Sequence, residues 1–154
     1  MNSSRAKWLG LVTISLAVSI IIADSTIVNV AIPSIVSELK ISSTQVQWVQ
    51  ESYTLVFAAL LLMFGTVADR IGRRKLLVIG VIIFALSSVL AALSWSGDVL
   101  IGFRVIQGVG GAMILPATLS IINATFRGRD RAIAFAVWGS TIGGMAAVGP
   151  VLGG

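Results

Sequence analysis

The run from Trp8 to Ile35, WLGLVTISLAVSIIIADSTIVNVAIPSI, holds 28 residues of which one, Asp24, is charged. A helix rises about 1.5 Å per residue and the hydrocarbon core of a bilayer is about 30 Å thick, so about 20 apolar residues cross it. The stretch is therefore long enough to span a membrane with a carboxyl group inside it. Arg5 and Lys7 before it form a basic flank, but no small-x-small cleavage site precedes Asp24 and the apolar run is too long for a secretory leader. It reads as an uncleaved first span.

Four further stretches have the same character, at residues 46–68, 76–94, 99–124 and 132–154. The predicted fold class is an all-α integral membrane protein with five transmembrane helices. The connections are short, at Ser37–Gln45, Asp69–Lys75, Trp95–Asp98 and Phe126–Arg131, which leaves no soluble domain. Composition agrees: of 154 residues 56% are hydrophobic and 11% charged, with a mean hydropathy of +1.01. So few charges cannot coat a water-soluble domain, which excludes a soluble enzyme. With no Cys and no His the chain also lacks the means for disulfides, the common metal sites and the Ser-His-Asp triad, so neither an enzyme nor a metal protein is expected.

The formal charge of +5 does not point to nucleic acid, because the basic residues sit between apolar runs instead of on one solvated face. They report topology. With the N-terminus inside, the inner segments carry Arg5, Lys7, Arg70, Arg73, Arg74, Lys75, Arg127, Arg129 and Arg131, and the outer loops carry Lys40 alone, nine against one. Positive loop residues stay cytoplasmic, so the N-terminus is predicted to be cytoplasmic. Five spans then leave the C-terminus outside on Gly149-Pro150-Val151-Leu152-Gly153-Gly154, with no polar tail. The expectation is a piece of a longer protein.

An ionisable group inside a span costs several kcal/mol and is a functional candidate by default. Asp24, Glu51 and Arg104 qualify. Counted by helical rise, Asp24 lies about 24 Å from Trp8, and Glu51 and Arg104 each about 8 Å below the outer edge, which places all three at similar depth. A cation flanked by two acids can trade protons between them, whereas the plainer reading has Glu51 snorkelling to water and Asp24 with Arg104 as a static pair. Gln107, one turn from Arg104, adds an amide beside the small residues Gly108, Gly110, Gly111 and Ala112, a surface suited to close helix packing. In the loop Gly65-Thr66-Val67-Ala68-Asp69-Arg70-Ile71-Gly72-Arg73-Arg74-Lys75, Gly65 permits close helix approach and Gly72 a tight turn. Asp69 can reach a helix N-terminus or a basic residue. In the fifth span, Gly139 with Gly143 and Gly149 with Gly153 form two small-xxx-small patterns, and Pro150 bends or loosens the helix.

Together these stretches resemble the major facilitator superfamily and, within it, the fourteen-helix drug:proton antiporters. Gly65 to Leu77 is similar to motif A (G-x-L-A-D-R-x-G-R-K-x-x-L), with Val67 at the Leu position. Leu100 to Ala112 resembles motif B (L-x-x-x-R-x-x-Q-G-x-G-A-A), with Gly111 for one Ala. Gly149 to Gly154 resembles the end of antiporter motif C, with Met145 at its first Gly position. Asp24 to Pro33 resembles first-helix motif D (L-D-x-T-I-V-N-V-A-L-P), with Ala23 before Asp24.

The resemblance implies that Asp24 and Arg104 take part in proton coupling and that Asp69 and Arg73, within a gating loop that includes Gly65, Arg70, Gly72 and Arg74, gate the cytoplasmic side. It implies that Pro150 with Gly149, Gly153 and Gly154 seals against leak. Asn29 and Gln107 are supporting polar groups, and Glu51 rests on depth alone. The implied protein is a proton-driven exporter of amphiphilic organic cations or antibiotics in the cell membrane, with no cofactor, a proton gradient as its energy source and a second half that this chain lacks. The alternatives are an uptake facilitator for a metabolite and a small oligomeric pore or scaffold held by glycine faces.

Overall fold

The computed structural model describes the backbone of residues 3–153 and the side chains of residues 5–148. Five helices follow one another: α1 (Ser3–Leu39), α2 (Ser43–Ile71), α3 (Arg73–Ala92), α4 (Gly97–Thr125) and α5 (Gly128–Gly153). All five are long and apolar enough to cross a membrane.

Most helices outrun the spans read from apolarity, because backbone hydrogen bonding continues into polar flanks where the hydropathy signal stops. α1 continues to Leu39, α2 covers Ser43–Ile71 and α5 begins at Gly128; α3 is the exception and ends at Ala92, two residues short of the expected limit. The connections shrink accordingly. The basic loop expected over Asp69–Lys75 is a break at Gly72 alone, whose φ of 99° is a conformation that glycine reaches without a Cβ clash. At the other end of α2, Ser42 caps the helix: its Oγ accepts from Gln45 N at 3.2 Å while Gln45 Oε1 accepts from Ser42 N at 3.0 Å. This reciprocal pair satisfies two backbone donors that a helix start leaves open.

The packing is inside-out by soluble standards. Leu62 is 83% exposed and Leu86 61%, while Arg104, Gln107, Ser87 and Thr118 are buried. Lipid needs no polar coat, so aliphatic side chains face outward, and these four polar side chains each bond within the bundle.

α4 is the central helix, with α2 and α3 against its faces. A Cβ on Gly108 would stand 2.7 Å from Tyr53 O, and one on Gly110 would stand 2.8 Å from Phe84 N. Both glycines are required for backbones this close, as the small-residue surface of the fourth span predicts. α5 packs on α1 through Leu11, Ile14 and Ala134, joined by Ile122 and Phe126 from the α4 end.

Two glycine expectations find no partner among the described residues. A Cβ on Gly65 would have no neighbour within 4 Å, and the same holds at Gly139 and Gly143. These glycines face no other described helix of the chain, so a spacing pattern alone does not say which face a helix buries. The pattern at Gly149, Pro150 and Gly153, and the bend expected there, lies outside the described side chains, and Gly154 lies outside the described residues.

Candidate functional site

The site grows from two residues that the apolar interior cannot tolerate singly. Asp24 sits on α1 and Arg104 on α4, and Nη1 of Arg104 donates to Oδ2 of Asp24 at 2.6 Å. The two side chains are 12% and 4% exposed, which makes this an interior pair whose charges are satisfied chiefly by protein.

Every neighbour adds a specific restraint. Gln107, one turn along α4, donates Nε2 to Asp24 Oδ1 at 2.6 Å and accepts from Arg104 Nη1 on Oε1 at 2.8 Å. That bridge fixes the orientation of its amide. Ser88 on α3 donates to Asp24 Oδ1 at 3.2 Å. Arg104 Nε donates to the Val49 carbonyl of α2 at 3.1 Å, and the guanidinium carbon lies 4.5 Å from the centroid of the Tyr53 ring. A cation over an aromatic face is attracted by the ring quadrupole, more strongly where water is excluded. Four helices therefore converge on one carboxylate and one guanidinium.

The arrangement differs from the expectation in one respect. Glu51 is exposed on α2 and lines a groove with Gln50 and Thr54, and Arg104 bonds to Asp24, Gln107 and Val49 instead. Similar depth did not bring it to Arg104, because depth fixes height along the normal and leaves the helix face open. The geometry is one cation with one acid, and the two-acid relay is not formed. Tyr53 and Ser88 were missed, although each left a signal: Tyr53 is the single tyrosine of the chain and one turn from Val49, and Ser88 is a hydroxyl in an apolar run.

The expected supporting residue Asn29 accepts from Gln50 Nε2 at 2.8 Å, tying α1 to α2. At the opposite end of the bundle, Arg73 Nη2 donates to Asp69 Oδ1 at 3.2 Å and its Nη1 donates to the Ser120 carbonyl at 3.2 Å. Asp69 thus reaches the first turn of α3 and a basic residue there, as its place in the loop suggests. Arg73 and Asp69 are 39% and 66% exposed, so this pair contributes about 0–1 kcal/mol to stability. Its contacts are positional: through Arg73 they tie α2 and α3 to Ser120 of α4. Arg70 and Arg74 are exposed beside it. Among the described residues no group of three or more His, Cys, Asp or Glu could hold a metal ion.

A cavity of about 280 Å³ opens next to Asp24, walled by α1, α3 and α4. An ionisable pair in a membrane interior, beside water-sized space and held by four helices, is a functional candidate because such groups are costly there.

The model of the Major Facilitator Superfamily matches residues 14–154. A multidrug efflux pump, LfrA, from Mycolicibacterium smegmatis is 41% identical over 148 residues, covering 96% of this chain and 29% of that protein. The puromycin resistance protein pur8 of Streptomyces alboniger is 42% identical over 149 residues, covering 96% of this chain and 30% of that protein. The methyl viologen resistance protein SmvA of Salmonella typhimurium is 40% identical over 149 residues, with the same 96% and 30% covered. The chain spans about 30% of the length of these curated relatives. A multi-pass helical bundle with an Asp–Arg pair at its centre, matched by the family over all but its first 13 residues, belongs to the Major Facilitator Superfamily.

Proposed function

We propose that this chain supplies the first helices of a proton-driven exporter of small amphiphilic organic compounds, and that a further bundle completes the carrier. The single observation that carries the reading is the interior pair of Asp24 and Arg104, 2.6 Å apart with Gln107 bridging them. A proton on Asp24 removes the anion that holds Arg104, which releases the guanidinium to its remaining contacts with Gln107, Val49 and Tyr53. Loss of the proton restores the pair. Two such states of one element, each with satisfied partners, are what a carrier needs to couple proton movement to a change of access.

Export is favoured over uptake by the relatives themselves, which are a multidrug efflux pump and two resistance proteins. The substrate class follows from the same names and from the apolar walls of the bundle. The orientation that fits the charge count has the N-terminus, the Gly72 break and the α4–α5 connection on the cytoplasmic side of the cell membrane. There the Asp69–Arg73 pair would gate the inner mouth.

Reconstituted in vesicles, the complete carrier should accumulate a cationic dye against its gradient when the lumen is acidified, and lose that ability when a protonophore collapses the pH difference. Uptake that ignores the pH difference would support a facilitator, and ion conductance without substrate saturation would support a pore.

A further inference from the structure

Asp24 is closed off on its α2 side by Arg104, which is buried against the Tyr53 ring and the Val49 carbonyl. On its other side it lines the cavity of about 280 Å³, whose walls, among the described residues, come from α1, α3 and α4 and the turn after α3, with none from α2 or α5. On α1 the wall is a stripe with helical spacing, Asp24, Val28, Ala31, Ile35 and Glu38, all on one face. Asp24 and Glu38 thus stand at its two ends, about 21 Å apart by helical rise. The floor is polar, with Ser88 and Gln107 both bonded to Asp24, and the mouth is polar again at Glu38 and Ser94, with apolar walls between.

We propose that this cavity is the proton's path to Asp24 from the outer face, separate from the path of the organic substrate. The inference rests on the exporter reading above. The space suits a file of water: about 280 Å³ holds on the order of nine waters at about 30 Å³ each. Glu38 gathers hydronium at the mouth. A water chain carries the proton inward, and Ser88 passes it on, because its hydroxyl donates to Asp24 Oδ1 while its oxygen accepts from water. The step balances: hydronium outside and the Asp24 carboxylate become water and the carboxylic acid. The charged or titratable groups facing Asp24 are Arg104 from α4, Tyr53 of α2 behind that guanidinium and Glu38 along α1; α3 presents Ser88.

The test uses the complete carrier with Ala91→Cys on the α3 wall, plugged by a methanethiosulfonate reagent after folding and reopened by dithiothreitol. Proton release on addition of substrate should slow about tenfold when plugged and recover on reduction, while substrate affinity stays within about twofold. The same reagent at Leu86→Cys, on the lipid-facing side of α3, should do nothing. Ser88→Ala should slow release and Ser88→Thr restore it. Full labelling of Ala91→Cys with unchanged release, or no labelling at all, overturns the route. Substrate-induced release that persists in Asp24→Asn overturns the coupling reading itself, so the two failures are distinguishable.

Discussion

Arg104 Nη1 lies 2.6 Å from Asp24 Oδ2, joining residues 80 positions apart in sequence. The contrast with the 3.2 Å pair of Arg73 and Asp69 decides which ion pair constrains the bundle. Leaving one member of an interior pair without its partner costs about 3–5 kcal/mol, whereas exposed pairs contribute about 0–1 kcal/mol. The Asp24–Arg104 pair is thus the one whose disruption costs the bundle more.

The close packing around α4 predicts a steep size limit at two positions. Gly108→Leu and Gly110→Val would drive side-chain atoms into the backbones of α2 and α3 and should destabilise by at least about 1–3 kcal/mol. Gly65→Ala, with open space where its Cβ would stand, should melt like the unaltered protein. Thermal denaturation in detergent separates the two cases, and equal melting of all three would show that the glycines do not set the helix spacing.

How much of this was legible in the sequence depends on the residue. Asp24, Arg104 and Gln107 announced themselves because charge and amide groups are costly in an apolar run, and Gly108 and Gly110 lay in the same stretch. The helix face was not legible. Depth put Glu51 level with Arg104, yet α2 turns it outward, and the glycines at 65, 139 and 143 meet no described neighbour although their spacing resembles that of packing motifs. Tyr53 escaped notice because an aromatic residue in a span is ordinary; its place over the guanidinium depends on the rotation of α2 against α4, which tertiary packing sets.

Tyr53 should act through its ring. Tyr53→Phe keeps the aromatic face 4.5 Å from the guanidinium and should be nearly silent, because no partner within the described protein bonds its hydroxyl. Tyr53→Leu removes the face and should cost about 2 kcal/mol of stability for a desolvated contact. Melting temperatures of the two variants check the difference; a loss confined to Tyr53→Phe would assign the role to the hydroxyl instead.

Glu51→Gln should leave proton-driven transport within about twofold of the unaltered carrier, since its exposed carboxyl joins none of the bonds that hold Arg104. Flux measured across a range of outer pH tests this. A tenfold loss would restore Glu51 to the coupling machinery.

The proposed orientation has a direct check, because the described chain has no cysteine of its own. Ser43→Cys, exposed at the start of α2, should react with an impermeant thiol reagent added outside intact cells, and Ala124→Cys, exposed at the other end of the bundle, should react only after permeabilisation. Gly128 is avoided as a labelling site because its φ of 56° suits glycine. The reverse pattern would place the N-terminus outside.

On the proposed reading Asp24 and Arg104 work as one proton-coupled unit in the complete carrier. The most direct measurement is proton-driven efflux by Asp24→Asn, by Arg104→Ala and by both together, at matched amounts of inserted protein. Each single change should abolish coupled efflux and the double change should be no worse than either, since one unit can be broken only once. Full proton-driven efflux by Asp24→Asn, or residual rates that multiply in the double variant, would contradict it.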